Sequence, residues 1–398
     1  IQTMVLRSDN ATEFMEPISG TQSVYELFDS NMVKTDQLSL YCTTTDKVIN
    51  KQLGKIATAA TSYSGQYKTL RLALACTAEY TTYFGGVPQA LAAMNATLTR
   101  VNAIFNRDLA LHLNLIANNA ILIYTNASTD PYSPANIGAS GTWNLELQRD
   151  LTSKIGNANY DIGHLFGATG GGGNAGCIGC VCQNPISSTD LAKGSGYTSP
   201  ADGKPEGDTF DIDFVAHEMG HQLGANHTFS HEIEGTGVNV EPGGGSTIMA
   251  YAGVTDYNVQ SHSDDYFAYA SMAQIQNNLA TKSCPITTVL SNKTPTANAG
   301  ADFVIPKGTP FVLKGSGSDP NGDVLSYCWE QNDSATSATG ANSIAYSTKT
   351  DGPLFRSLSP SISPIRYMPA QNKVLTNMLN STWESVSDVA RTLHFTLT

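Results

Sequence analysis

Charge is scarce in this chain. Only 14% of its 398 residues are Asp, Glu, Lys or Arg, against about a quarter in an average soluble protein. The 22 basic residues are outnumbered by 34 acidic ones, for a net charge of −12, which argues against a polyanion and so against nucleic acid as a partner. Few lysines and arginines also leave trypsin-like enzymes few places to cut. The polar balance falls on Ser, Thr, Asn and Gly, which suits an extracellular protein. No apolar run reaches the roughly 18 residues of a membrane span, and the opening residues lack the layout of a signal peptide. The expectation is a secreted protein, processed from a longer precursor, of two or three domains.

Histidine is also rare, with eight in all, yet three fall in the run His217-Glu218-Met219-Gly220-His221-Gln222-Leu223-Gly224-Ala225-Asn226-His227. On an α-helix His217 and His221 lie one turn apart on the same face, so both rings reach one ion. Glu218 points to the side of that pair, too offset to be a third ligand but close enough to hold a water as general base. Gly224 ends the helix and the chain swings back to bring in His227. Three nitrogen ligands leave a fourth position open, the mark of a catalytic zinc site. Asp208 to Ala216 supplies acidic residues for a helix start and Phe210, Ile212, Phe214 and Val215 to bury.

This run matches every fixed position of H-E-x-x-H-x-x-G-x-x-H, and the chain here resembles the metzincin zinc metalloendopeptidases. Ser246-Thr247-Ile248-Met249-Ala250-Tyr251 resembles their methionine turn, with Met249 as its structural residue. The frames Asp213-Phe214-Val215-Ala216-His217 and Ile248-Met249-Ala250-Tyr251-Ala252-Gly253 are most similar to the reprolysin-like, adamalysin-related peptidases of the secreted bacterial branch, over about residues 67 to 287. One departure is Thr228, where animal adamalysins carry Asp. The resemblance implies a zinc-dependent endopeptidase acting on protein or peptide substrates, with His217, His221 and His227 on the metal and Glu218 as general base and acid. It offers Tyr251 as an oxyanion stabiliser, against ordinary packing. It also implies that an edge strand accepts the substrate as an extra strand, and that Ala252 to Asp265 shapes the pocket beyond the scissile bond.

An α+β catalytic domain, a twisted mixed sheet with the active-site helix and Met-turn, fits the middle of the chain. Thr69 to Tyr80 reads as a strand, Pro88 to Asn106 as an amphipathic helix, and Leu109 to Tyr124 as a strand with His112 exposed. Trp143 to Ile155 reads as a second helix, Tyr160 to Phe166 as a third strand containing His164, and Gly167 to Cys182 as a glycine-rich edge. His231 reads as a solvated loop residue.

Seven cysteines leave one unpaired if all others form disulfides. The cluster Cys177, Cys180 and Cys182 lacks a nearby fourth ligand for a metal. Adamalysin-type domains tie a comparable loop to a comparable helix end, which implies a disulfide from one of the three to Cys284. Two readings stay open for Cys42. Reprolysin propeptides carry a cysteine that blocks the open zinc position, and residues 1–66 would then be a propeptide remnant with Cys42 as latency ligand. Leu40-Tyr41-Cys42-Thr43 lacks the glycine usual in that switch, and a disulfide or a buried thiol is the alternative.

Beyond Cys284, Pro285 to Thr296 reads as a linker, placed at residues 288–299 between the domains. Residues 300–398 then resemble an all-β, immunoglobulin-like PKD-type sandwich with Trp329 on a central strand, a module suited to binding a surface or another domain. Asp319, Asn321 and Asp323 have the alternate spacing of a calcium loop, against a hydrogen-bonded turn. Two function classes follow: a secreted zinc endopeptidase, or an adhesion or glycan-binding protein with a structural metal. The intact Glu218 favours the first, since a retired enzyme has no need of a carboxylate there.

Overall fold

The computed structural model describes residues 3–6, 12–17, 25–29, 42–45 and 65–398. Thr3–Leu6 (β1), Thr12–Pro17 (β2) and Tyr25–Asp29 (β3) form an antiparallel sheet of their own in the order β1-β2-β3. These strands fall in the N-terminal segment, 1–66, where the sequence shows no strong periodicity. Leu40 and Tyr41 of the Cys42 context lie outside the described residues.

The central sheet is built on Gln66–Cys76 (β4), where successive side chains of an extended chain point to opposite faces. Leu70, Leu72, Leu74 and Cys76 join one buried cluster and Ala73 and Ala75 the other. The strand stops at Cys76 because Thr77 caps a helix: its side chain accepts from the Tyr80 amide at the start of Ala78–Phe84 (α1). Tyr80 is therefore helical and not the end of the expected strand.

Val87–Leu109 (α2) buries Met94, Leu98, Val101 and Phe105 against the leucine face, on the expected three- and four-residue steps. Leu111–Leu115 (β5) is shorter than the strand expected to reach Tyr124. The Asn119 side chain pairs with both the amide and the carbonyl of Leu74 at 2.9 and 2.8 Å, and the chain turns there. The short helix Ala135–Ile137 (α3) leads into Trp143–Lys154 (α4). This helix sets Trp143, Leu147 and Leu151 on the alanine face of the sheet.

Ile162–Phe166 (β6), Gly173–Asn174 (β7) and Gly196–Thr198 (β8) complete a mixed sheet in the order β5-β4-β6-β8-β7. β7 is the edge, antiparallel to β8. His217–Leu223 (α5) and Tyr269–Ala280 (α6) pack on the leucine face, contributing Met219, Leu223, Ile275 and Leu279 to its cluster. The domain is α+β. One expected linker stretch is not a linker: Ile286–Val289 (β9) pairs antiparallel with the start of β4, as its β-branched run Ile-Thr-Thr-Val favours.

Beyond β9, the described strands form four antiparallel pairs. Thr296–Asn298 (β10), Phe311–Lys314 (β11), Ser316–Ser318 (β12), Trp329–Gln331 (β13) and Ile365–Met368 (β14) come first. The helix Gln371–Leu375 (α7) precedes Asn380–Ser381 (β15), Glu384–Ser385 (β16) and Phe395–Leu397 (β17). The pairs are β10 with β12, β11 with β14, β13 with β17 and β15 with β16. They close around Leu313, Trp329, Leu354, Phe355, Met368 and Leu397. No helix among the described residues is long and apolar enough to cross a membrane.

The cysteines correct the expected count of one unpaired thiol. Cys177 bonds Cys180 and Cys182 bonds Cys284, while Cys42, Cys76 and Cys328 are all free and buried. Cys76 faces the leucine core with its sulfur 3.3 Å from the Thr81 hydroxyl, and Cys328 lies beside the Leu358 carbonyl at 3.3 Å. Cys76 fills an apolar position, as small buried thiols do.

Buried Arg100 joins α2 to the entry of α5. Its guanidinium meets Asp208 and Asp265, each at 3.0 Å. Arg100→Leu leaves Asp208 without its cation and Asp265 with only Arg107 at 3.9 Å, and is expected to lower the unfolding free energy by about 3 kcal/mol. Urea denaturation measures it.

Candidate metal centre

The histidine-bearing helix α5 is entered through a π-helical turn, Thr209–Ala216, a wider coil that recurs at functional sites. Phe210, Ile212, Phe214 and Val215 are buried there, as the sequence indicates. Asp213 fixes the turn from outside, accepting from His262 Nδ1 at 2.9 Å and from the Ser263 amide at 2.8 Å. Farther along, Gln222 ties the helix to β6: its Oε1 meets His164 Nδ1 and its Nε2 donates to the Gly163 carbonyl, both at 2.8 Å. His164 is no ligand. Burial lowers its pKa to about 4, and its other nitrogen meets the Thr198 hydroxyl.

Gly224 ends the helix with φ of +129°, a conformation open to glycine, and its amide donates back to Gly220 and His221. The disulfide-bearing loop supplies the remaining cap. Gly179 adds its amide to the His221 carbonyl, and Val181 donates to the carbonyl of Gln222, which lies among the last carbonyls of the helix that find no partner within it. The expected tie to Cys284 is made by Cys182, and the second bond closes the cysteine cluster on itself.

Below the helix lies the segment 246–251, the one whose sequence resembles a methionine turn. Met249 is fully buried, and its sulfur approaches Gly220 so closely that any Cβ there would lie 2.5 Å from it. The neighbouring Ile248 carbonyl takes His217 Nδ1 at 2.7 Å. His221 Nδ1 is held by the Ala225 carbonyl at 2.7 Å and His227 Nδ1 by Glu234 at 3.0 Å. An acceptor at each Nδ1 favours the proton there, which leaves each Nε2 as the nitrogen that could hold a metal ion. The Nε2 atoms of His221 and His227 stand 3.0 Å apart, an approach of two lone pairs that a shared cation relieves. One ligand atom each from Cys42, His217, His221 and His227 lies within 4.8 Å of all the others. Three imidazoles and a thiol are the donor set of zinc.

Cys42 arrives on a strand-like segment laid along β7. It bridges Gly173 in parallel, and the Thr43 amide donates to the Gly173 carbonyl at 3.0 Å. The Thr44 hydroxyl donates to Glu218 Oε2 at 3.1 Å and accepts from the Ala175 amide at 2.8 Å. Glu218 is fully buried and reaches the edge only because residue 173 has no Cβ, which would sit 2.3 Å from Oε1. Burial pushes its carboxyl up to about 7, against the pull of hydrogen bonds from Cys42 and Thr44. Burial, then the charge of Glu218, pushes the Cys42 thiol up to about 11.

Tyr251 joins the group, its ring 4.7 Å from that of His227 and its hydroxyl donating to the Cys42 carbonyl at 3.2 Å. Burial raises its pKa, so it remains a donor. His231 departs from the solvated reading, half-buried with its ring 4.3 Å from Phe229. His112 stays apart from the centre, part-exposed and paired with Asn106. Asp319, Asn321 and Asp323 close an exposed turn: Asp319 Oδ1 accepts from the amides of Asn321 and Asp323, and Asn321 accepts from the Lys293 amide. That is the hydrogen-bonded turn, and calcium gains no support from it.

Three residues of the centre carry no sequence signal: Thr44, Glu234 and Glu241. Buried Glu241 accepts from Thr228 Oγ1 at 2.7 Å and from the amides of Ser246 and Thr247 at 2.7 and 3.2 Å. It staples the third-histidine loop to the methionine turn, which gives the departure at Thr228 a structural role.

Residues 66–281 match the model of a family described as metallo-peptidase family M12B, reprolysin-like. No curated protein matches the chain.

The hydrogen bond to Asp213 raises the His262 pKa above its ordinary 6.5, partly offset by burial. A raised histidine pKa stabilises the fold fully below the unfolded value, and that stabilisation fades as pH rises through the folded value. His262→Gln is therefore expected to lower the melting temperature more at pH 5.5 than at pH 8.5. The corresponding difference in unfolding free energy is below about 1 kcal/mol, because the ring keeps part of its surface in water.

Proposed function

The chain belongs to the reprolysin-like metallopeptidase family M12B, whose members hydrolyse peptide bonds with zinc, and from that premise we propose a secreted endopeptidase held latent by its own N-terminal segment. His217, His221 and His227 hold the zinc, Glu218 is general base and acid, and Cys42 fills the fourth position until the segment leaves. The observation that carries this reading is the meeting of four ligand atoms within 4.8 Å beside a fully buried carboxylate.

A zinc ion in this set supplies Lewis acidity, which makes water nucleophilic near neutral pH and polarises a peptide carbonyl. Glu218, anchored where glycine lets it approach the sheet edge, orients the water, takes its proton and returns it to the leaving amine. Tyr251 donates to a backbone carbonyl of the resident segment, and in this reading the same hydroxyl meets the oxyanion of a substrate. Gly173 pairs with that segment through its carbonyl, and a substrate strand takes the same edge when the segment is gone. The Thr44 hydroxyl on Glu218 adds a second point of blockage, since it occupies the base itself.

Two disulfides and the low basic content suit an oxidising, protease-rich exterior. In this reading residues 1–66 are a propeptide remnant, 67–287 the catalytic domain and 300–398 an immunoglobulin-like module of the secreted bacterial branch.

Glu218→Ala is expected to reduce casein clearing by at least about a hundredfold at matched folding, the span general acid–base groups supply. The comparison is made after removal of the N-terminal segment. Equal clearing by the two proteins contradicts the peptidase mechanism.

A further inference from the structure

Two of the three metal ligands ride on a helix, whose hydrogen bonds hold them in register. The third follows the helix break, so its position depends on the chain after it. That loop, residues 228–243, is fastened on two sides. Within the catalytic region Glu234 holds His227 Nδ1, and Glu241 binds Thr228 to the methionine turn. Against the C-terminal region a second set of bonds runs along the loop. The Gly340 amide donates to the His231 carbonyl at 2.8 Å, and the Thr339 hydroxyl reaches the same oxygen. Asn239 exchanges bonds with two successive residues: its carbonyl accepts from the Ala335 amide at 2.9 Å and its amide donates to Ser334 Oγ at 3.1 Å. The Gly243 amide donates to the Ser343 carbonyl at 3.2 Å. The Trp383 ring packs so close to Gly243 that a Cβ there would lie 2.6 Å from it.

These bonds reach toward the ligand. The Asn239 side chain donates to the Phe229 carbonyl at 2.7 Å, two residues past His227, and Phe229 stacks on the His227 ring with centroids 4.8 Å apart. Glu234 lies on the loop between the anchors at His231 and Asn239. A shift of the loop therefore moves the carboxylate that orients the third imidazole.

We infer that residues 334–343 are a positioning element for the third zinc ligand, which makes the C-terminal region part of the metal centre's support and not a detachable accessory. The inference rests on the zinc reading proposed above and extends it to residues that touch neither metal nor substrate. Partners that orient a metal-bound histidine typically contribute ten- to a hundredfold in metal affinity, and the C-terminal contacts act one step farther out.

The test is zinc affinity of the full chain, read by competition with a chromophoric chelator, alongside thermal unfolding of the zinc-free protein. Ser334→Ala/Thr339→Val is expected to weaken zinc binding about tenfold while the zinc-free protein melts as wild type. Thr339→Ser, which keeps the hydroxyl, is expected to bind as wild type. Adding Glu234→Gln is expected to give less than the product of the separate losses, because both act through one loop. Unchanged affinity in the double variant, or a fully multiplicative loss with Glu234→Gln, overturns the inference. Should the double variant melt early, Thr339→Val judged against Thr339→Ser decides by the same criterion. A wild-type chain without zinc affinity removes the zinc reading, and this inference with it.

Discussion

Three imidazole rings aimed at one point repel one another unless a cation stands among them, and much of the catalytic region is arranged to hold that aim. Each ring is gripped at Nδ1 by a different part of the fold: the methionine turn, the helix break and the loop beyond it. Each of the three anchors has its own support. The methionine turn rests on Gly220, the helix break is capped by the disulfide-bearing loop, and the loop beyond is fastened by Glu241. Buried polar groups are costly unless satisfied, and here their satisfaction sets the geometry of the site.

The N-terminal residues around Cys42 occupy the edge and the pocket that the proposed function assigns to a substrate. Their backbone pairs with Gly173, their thiol joins the imidazoles, and the Thr44 hydroxyl meets Glu218. The proposed latency is therefore more than a plug on the metal. It also engages the carboxylate and the strand edge, so release requires the whole segment to depart.

The clustering of the three histidines was legible in the sequence because their spacing is local: a helix places positions four apart on one face, and a glycine marks where it stops. The sheet was legible where alternation is strong, as in β4. Its errors have specific causes. Thr77 caps a helix where Tyr80 was expected in a strand, and Asn119 bends the chain through bonds to Leu74, a residue distant in sequence. Ile286–Val289, at the start of the expected linker, became β9 because its β-branched residues met an open flank of β4. Glu234, Glu241 and Thr44 left no trace in spacing, since their partners are fixed by loop paths that only tertiary structure defines. The cysteine count misled for the same reason, as Cys76 and Cys328 serve as core residues in separate parts of the chain.

The most direct test of the account is X-ray absorption at the zinc edge on the full chain before any processing. The account predicts one zinc per chain with a first shell of three nitrogens and one sulfur, the sulfur from Cys42. A shell without sulfur would contradict the latent arrangement, and a chain that takes up no zinc would contradict the centre itself.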